Sequence, residues 1–375
     1  MTAEMLAGEA AWMRNQLLAR PVDRAAALVR SGAARGQAAP LRALHLNESP
    51  YPPSPRAVQA MIASAAGMNR YPDPSARQLC TELGTRSGIP AERIVCGNGS
   101  EELIQVLCTL GVGSGDEVVV PAPAFPAIAA TVGLRGATPV RALIDAQGAN
   151  DVDALLAAIG ARTRMVFCCS PNPPSGGMVG ATALQRLVDG VPDNILLVMD
   201  EAYHEFGRHA GGPDILQALA KRRGPWVNLR TFSKAYGLAG ARIGYAYCSS
   251  EQVADAMRRM KTNYGPSATA LAGAFAALQD DAYLARILDA VALERQRMTA
   301  GLTALGLHPF ESFANFVSVA LPMPAAQAMA GLHERRILVR DWRDPAYQNE
   351  IRITVGLPED TDSVISAIRD ILATT

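Results

Sequence analysis

Only three lysines occur in the chain, Lys221, Lys234 and Lys261, and arginine supplies every other basic side chain. Lys221 opens a Lys-Arg-Arg run that reads as solvated surface, and Lys261 sits in a polar stretch. Lys234 is placed differently. It lies in Thr231-Phe232-Ser233-Lys234-Ala235-Tyr236-Gly237-Leu238-Ala239-Gly240-Ala241-Arg242, after the apolar run 226–229 and among small residues. Burial there lowers the amine's pKa and makes it available as a nucleophile. The competing reading is a lysine stem resting on apolar surface with its head in water, and this segment alone does not separate the two.

Four other stretches carry polar chemistry just after short apolar runs. Gly97-Asn98-Gly99-Ser100-Glu101 is a glycine turn feeding a helix start, whose free N–H groups can cradle a phosphate, although a turn plus cap explains it equally well. Pro121-Ala122-Pro123-Ala124-Phe125 places an aromatic ring past a strand end, as a platform or as a core anchor. Ser170-Pro171-Asn172-Pro173-Pro174-Ser175-Gly176 is a stiff loop. Asp200-Glu201-Ala202-Tyr203 puts a carboxylate at the end of a buried strand, which is costly unless it meets a cation or donors, or caps a helix. One ligand answers a phosphate cradle, a ring platform, a cation for a carboxylate and a Schiff-base lysine together, namely pyridoxal 5′-phosphate.

The elements that must position these residues alternate. Apolar runs at 94–96, 117–121, 138–142, 165–169, 195–199, 226–229 and 243–247 are separated by helical stretches. Unbroken apolar strands between helices imply burial on both faces, hence a mostly parallel seven-stranded sheet covered by helices, with ligands at the strands' carboxyl ends. After Gly265-Pro266 the texture changes to a long helical region at 267–305, short strands, and a closing helix at 360–372, which reads as a smaller α+β domain. The expected division is a helical extension and linker at 1–43, a large domain at 44–265 whose 44–68 segment packs on the small domain, and a small domain at 266–375.

Asn69-Arg70-Tyr71-Pro72-Asp73, Gly97-Asn98-Gly99-Ser100-Glu101-Glu102, Asp200-Glu201-Ala202-Tyr203, Ser233-Lys234-Ala235-Tyr236-Gly237-Leu238-Ala239-Gly240 and Arg352-Ile353-Thr354-Val355-Gly356 resemble the histidinol-phosphate aminotransferase group of fold-type I pyridoxal-phosphate enzymes. The resemblance runs from about residue 44 to the C-terminus. It implies that Lys234 carries the cofactor and moves the substrate's Cα proton, that Asp200 pairs with the pyridine nitrogen, and that Tyr203 bonds the phenolic oxygen. Phe125 would stack on the ring, where many relatives carry tyrosine. Gly99, Ser100, Glu101, Ser233 and Arg242 would hold the phosphate. Tyr71 would reach the neighbouring subunit's cofactor, which makes the active unit a homodimer. Arg352 would clamp the substrate carboxylate bidentately. Arg340 would meet a substrate phosphate, and Tyr51 would close over the substrate.

Two positions depart from that pattern. Pro173 stands where the group carries the asparagine that donates to the phenolic oxygen, and Pro52 replaces a glycine beside Tyr51. A lyase of the threonine-phosphate decarboxylase kind is therefore weighed beside the transaminase, with a non-catalytic pyridoxal-phosphate sensor a more remote alternative. With 35 basic and 35 acidic residues the chain has no net charge, so no basic footprint for nucleic acid or membrane is present. The six cysteines form no C-x-x-C pair, the five histidines show no metal-ligand spacing, and no apolar run is long enough to span a bilayer. The expected partners are a small-molecule amino donor and a 2-oxo acid, in a cytoplasmic setting.

Overall fold

The computed structural model describes residues 41–374. The helices expected at 1–30 and the linker after them lie outside the described residues.

Seven strands form the main sheet: β2 (Ile94–Gly97), β3 (Glu117–Ala122), β4 (Thr138–Leu143), β5 (Thr163–Cys169), β6 (Leu196–Asp200), β7 (Trp226–Thr231) and β8 (Gly244–Cys248). Their order is β2-β8-β7-β6-β5-β3-β4. Only β8 runs against its neighbours, and it pairs antiparallel with both β2 and β7. The reason is the short link from β7, residues 232–243, which holds one 3-10 turn and no crossover helix. That hairpin-like return keeps Lys234 and Arg242 at the same end of the sheet.

Side chains alternate between the two faces along each central strand and are buried on both, as in a pleated strand covered on both sides. In β5, Val166 and Cys168 enter one apolar core, while Met165, Phe167 and Cys169 enter the core on the other face. The adjacent cysteines are thus buried core residues, each on its own side of the sheet.

A further core gathers around the antiparallel strands β9 (Phe316–Ala320), β11 (Arg340–Asp341) and β12 (Glu350–Thr354), in the order β11-β12-β9. β10 (Ile337–Leu338) pairs in parallel with β1 (Arg42–Ala43), which ties the start of the described chain to this C-terminal unit. The Leu44 carbonyl extends that tie by accepting from Thr354 N–H at 2.9 Å.

The long helical region expected at 267–305 is made of two helices, Ala268–Leu278 and Asp281–Ala304. The break has a packing cause. Ala270, Ala274 and Leu278 belong to the sheet's core, whereas Ile287, Val291 and Met298 belong to the C-terminal core. The first of these helices packs on helix Pro55–Ala65, where a Cβ on Gly273 would come within 2.8 Å of Met61 Sδ. Among the described residues, no helix is long and apolar enough to cross a membrane.

Candidate active site

The carboxyl ends of β2, β3, β5, β6 and β7 open into one cavity of about 600 Å³, closed on its far side by β11, β12 and residues 46–48. Lys234, Asp200, Tyr203, Phe125, Ser100, Glu101, Ser233, Arg242, Arg340 and Arg352 all line it.

Lys234 extends from the link after β7, partly exposed where it lines the cavity, and its Nζ donates to the Leu46 carbonyl at 3.0 Å. Burial, helped by the nearby Arg352 and Arg242 guanidinium groups, lowers its pKa to about 8, against the pull of Glu48. Asp200 ends β6 in register with Leu229 of β7, 5 % exposed. Its Oδ1 accepts from Ala202 N–H at 3.0 Å, and burial with the neighbouring Glu201 charge raises its pKa to about 6. Such a carboxylate, with no ion-pair partner among the described residues, suits a protonated ring nitrogen.

Glu201 takes the opposite part. Its Oε2 accepts from Arg230 at 2.9 Å and from Asn228 Nδ2 at 2.7 Å, while its Oε1 meets His204 Nδ1 at 2.8 Å. Burial alone would raise its pKa, but Arg230 and His204 more than offset this and hold it at about 2. The two adjacent acids thus point to different faces with different partners.

At the end of β2, Gly99 (φ 85°) precedes the helix Ser100–Gly111 and offers no side-chain cap to its first turn. A Cβ on Gly99 would collide with Arg242 Nη2, and one on Gly244 would come within 2.5 Å of Ser100 N. Backbone and guanidinium are thereby brought together around a space that a side chain would fill. Arg242 has a left-handed backbone (φ 55°), and its Nη1 donates to the Ala239 carbonyl at 2.9 Å. Ser233 Oγ accepts from Thr231 Oγ1 at 3.0 Å. Helix N-terminus, hydroxyl and arginine make an anion cradle. With the lysine, the buried carboxylate and the Phe125 ring, this donor set fits pyridoxal 5′-phosphate.

On the opposite wall, Arg340 and Arg352 are direct partners across the β11–β12 ladder. Like charges placed so are unfavourable unless an anion answers them. Arg352 Nη2 donates to the His45 carbonyl at 2.6 Å, while its buried Nε has no partner among the described residues. Burial lowers the Arg352 pKa to about 10, and Arg340 and Arg343 push the same way.

Three expected residues fall outside the lining. Gly99 acts from behind Arg242. Tyr71 lies on the surface, 80 % exposed, stacked on Tyr264 with ring centroids 4.4 Å apart. Tyr51 also stands outside the lining of this chain's cavity. A local turn, in which Tyr51 N–H donates to Ser49 Oγ at 3.2 Å, directs Tyr51 against the C-terminal core. Several lining residues went unread in the sequence: Leu46, Trp342 and Arg343. For Arg343 the signal was present, three positions after Arg340.

The family described as Aminotransferase class I and II matches residues 41–368. The chain belongs to that family. It is 39 % identical over 351 residues to a histidinol-phosphate aminotransferase of Jannaschia sp. (strain CCS1), covering 92 % of this chain and 96 % of the relative. It is 38 % identical to an aromatic amino acid aminotransferase of Thermobifida fusca (strain YX), covering 87 % of this chain and 89 % of that one. The fold matches the crystal structure of histidinol-phosphate aminotransferase from Sinorhizobium meliloti in complex with pyridoxal-5′-phosphate, with TM-score 0.88 and 28 % identity over 97 % of this chain and 98 % of that one. The resemblance read from the motifs and the mostly parallel sheet expected from the strand pattern are both borne out.

Proposed function

We propose that this aminotransferase uses pyridoxal 5′-phosphate to move an amino group from a doubly anionic or phosphorylated amino donor, of the histidinol-phosphate kind, to a 2-oxo acid. The observation that carries the donor class is the pairing of Arg340 with Arg352 across adjacent strands, with Arg343 lining the same cavity. Arg343 already meets Asp341 Oδ1 at 3.7 Å, so the reading rests on Arg352 for one anionic group of the substrate and on Arg340 beside it for a second.

The bound cofactor supplies an electron sink for charge developing at the substrate Cα. Asp200, charged above a pH of about 6, keeps the ring nitrogen protonated. Tyr203 bonds the phenolic oxygen, Phe125 supports the ring, and Ser100, Glu101, Ser233 and Arg242 hold the phosphate at the turn after Gly99. Lys234 binds the cofactor and then moves the substrate proton, a task suited to an amine with pKa about 8. Arg352 orients the donor carboxylate or its analogue, and Arg340 reads the distal anion. A homodimer, in which Tyr71 reaches the neighbouring subunit's cofactor phosphate, completes the site. The chain divides functionally into 44–265, carrying the cofactor, and 266–375, carrying the substrate arginines.

The test is a panel of donors (histidinol phosphate, histidine, phenylalanine, tyrosine, threonine phosphate) with 2-oxoglutarate, following glutamate and carbon dioxide together. Glutamate should form, fastest with a phosphorylated donor, and Lys234→Ala should remove both turnover and visible absorbance without unfolding the protein. Carbon dioxide release without glutamate, or absorbance that survives Lys234→Ala, would sink the reading.

A further inference from the structure

Asn47 stands where the N-terminal segment crosses the cleft. It is 2 % exposed and holds a left-handed backbone, φ 54°. Three contacts fix it. Its N–H donates to Thr354 Oγ1 at 3.0 Å, its Oδ1 accepts from the Thr354 hydroxyl at 3.1 Å, and its carbonyl accepts from Asn315 Nδ2 at 3.0 Å. The Thr354 hydroxyl meets Oδ1, and in this arrangement Nδ2 donates to Tyr203 Oη at 2.7 Å. A phenol oxygen that accepts one hydrogen bond must send its own hydrogen elsewhere. Among the described residues no side chain takes that hydrogen, and Tyr203 lines the cavity.

On the same lining, position 173 is proline and offers no donor. Asn172 does not substitute for it. That residue is fully buried, and its Nδ2 is committed to the Pro123 carbonyl at 3.1 Å and to Ser175 Oγ at 2.9 Å.

We propose that Asn47 is a positioning residue that aims the Tyr203 hydroxyl hydrogen into the cavity. By this account the Asn47–Tyr203 pair does the work that an asparagine at position 173 would otherwise share. The inference rests on the cofactor reading above, because the atom Tyr203 would serve is the cofactor's phenolic oxygen. Burial raises the Tyr203 pKa, and the Asn47 hydrogen bond, like Arg352, draws it back down, which makes the hydroxyl the better donor.

The experiment is a pH titration of the visible absorbance of cofactor-loaded protein. A donor to the phenolic oxygen stabilises its anion and so lowers the pH at which the lysine-bound nitrogen gives up its proton. Asn47→Gly keeps the left-handed backbone, since glycine adopts positive φ freely. It should raise the midpoint by about half to one pH unit, the scale of one hydrogen bond. In a Tyr203→Phe background the same change should add nothing, because the two act in series. Pro173→Asn should return the Asn47→Gly midpoint toward the starting value. Should Asn47→Gly fail to load cofactor, Asn47→Asp, which retains the shape but accepts where the amide donates, should also raise the midpoint. An unmoved midpoint overturns the proposal, as does an equal shift in the Tyr203→Phe background. A purely structural Asn47 would alter thermal stability yet leave the midpoint and the rescue flat. If the wild-type absorbance does not depend on Lys234, the cofactor reading fails instead, so the two failures are distinguishable.

Discussion

Lys234 shows how little a single residue carries until its surroundings are known. Its sequence neighbours leave a buried nucleophile and a snorkelling stem equally open. The geometry separates them, because the amine rests on the Leu46 carbonyl beside two guanidinium groups, with its pKa lowered to about 8. The direction of the pH effect follows. In cofactor-free protein the folded-state amine loses its proton near pH 8, below its ordinary 10.5. The rate of cofactor capture should therefore rise with pH and level off above about 8, measured by stopped-flow absorbance. A rate still climbing tenfold per pH unit beyond pH 9 would show an ordinary amine. The linked stability has the opposite sign from a salt-bridged lysine. Burying the charged amine costs most below about pH 8, and the cost fades as pH rises toward 10.5, where the unfolded chain also releases its proton. Legibility at this scale followed chemical type. Asp200, Lys234 and Arg242 could be read because their side chains are distinctive at strand ends. Leu46 could not, because its contribution is a backbone carbonyl that any residue supplies.

At the scale of elements, β6 and β7 do two jobs with neighbouring residues. Asp200 faces the cavity, while Glu201 turns away into an ion pair with Arg230. Alternation along a strand end makes this unavoidable, so one carboxylate can serve the ligand only if the other is neutralised within the fold. Glu201→Ala leaves Arg230 buried, 8 % exposed, without its carboxylate. Losing one partner of a buried pair costs about 3–5 kcal/mol, so chemical denaturation should show a loss of that order. A loss under about 1 kcal/mol would mean water or His204 takes over. The pair's own pH window is acidic. Glu201 titrates near pH 2 when folded against 4.5 when unfolded, so its contribution is whole above about 4.5 and disappears as pH falls toward 2. Sequence periodicity placed these strands to within a residue or two. It did not divide the helical region at 267–305, where no glycine or proline intervenes and Asp280 at the N-cap before Asp281 is the local mark, while two different cores claim the flanking helices.

For the whole molecule, the cavity exists because two units meet: the sheet's strand ends bring the amine and the acid, and β11–β12 bring the arginines. The segment from β1 to Asn47 belongs to the C-terminal unit by hydrogen bonding yet touches Lys234 and Tyr203, so it couples the two walls. What the single chain leaves unexplained is Tyr71, a large ring 80 % exposed and stacked on the half-exposed Tyr264, near the exposed Met68 and Met260 in sequence. Exposed apolar surface of this kind is consistent with the homodimer proposed above. On the homodimer reading, the Tyr71 hydroxyl completes a phosphate cradle in the second subunit. Tyr71→Phe retains the ring stack and removes only that hydroxyl. A hydrogen bond to a charged group contributes about 1.5–3 kcal/mol, so the cofactor Kd should rise by roughly one to two orders of magnitude. The melting temperature of cofactor-free protein should stay where it was. Fluorescence titration gives the Kd, and sedimentation velocity at the same concentrations gives the assembly state. A monomer that binds cofactor tightly, or a dimer whose Kd ignores Tyr71→Phe, would remove this residue from the neighbouring site and leave its exposed ring to a different partner.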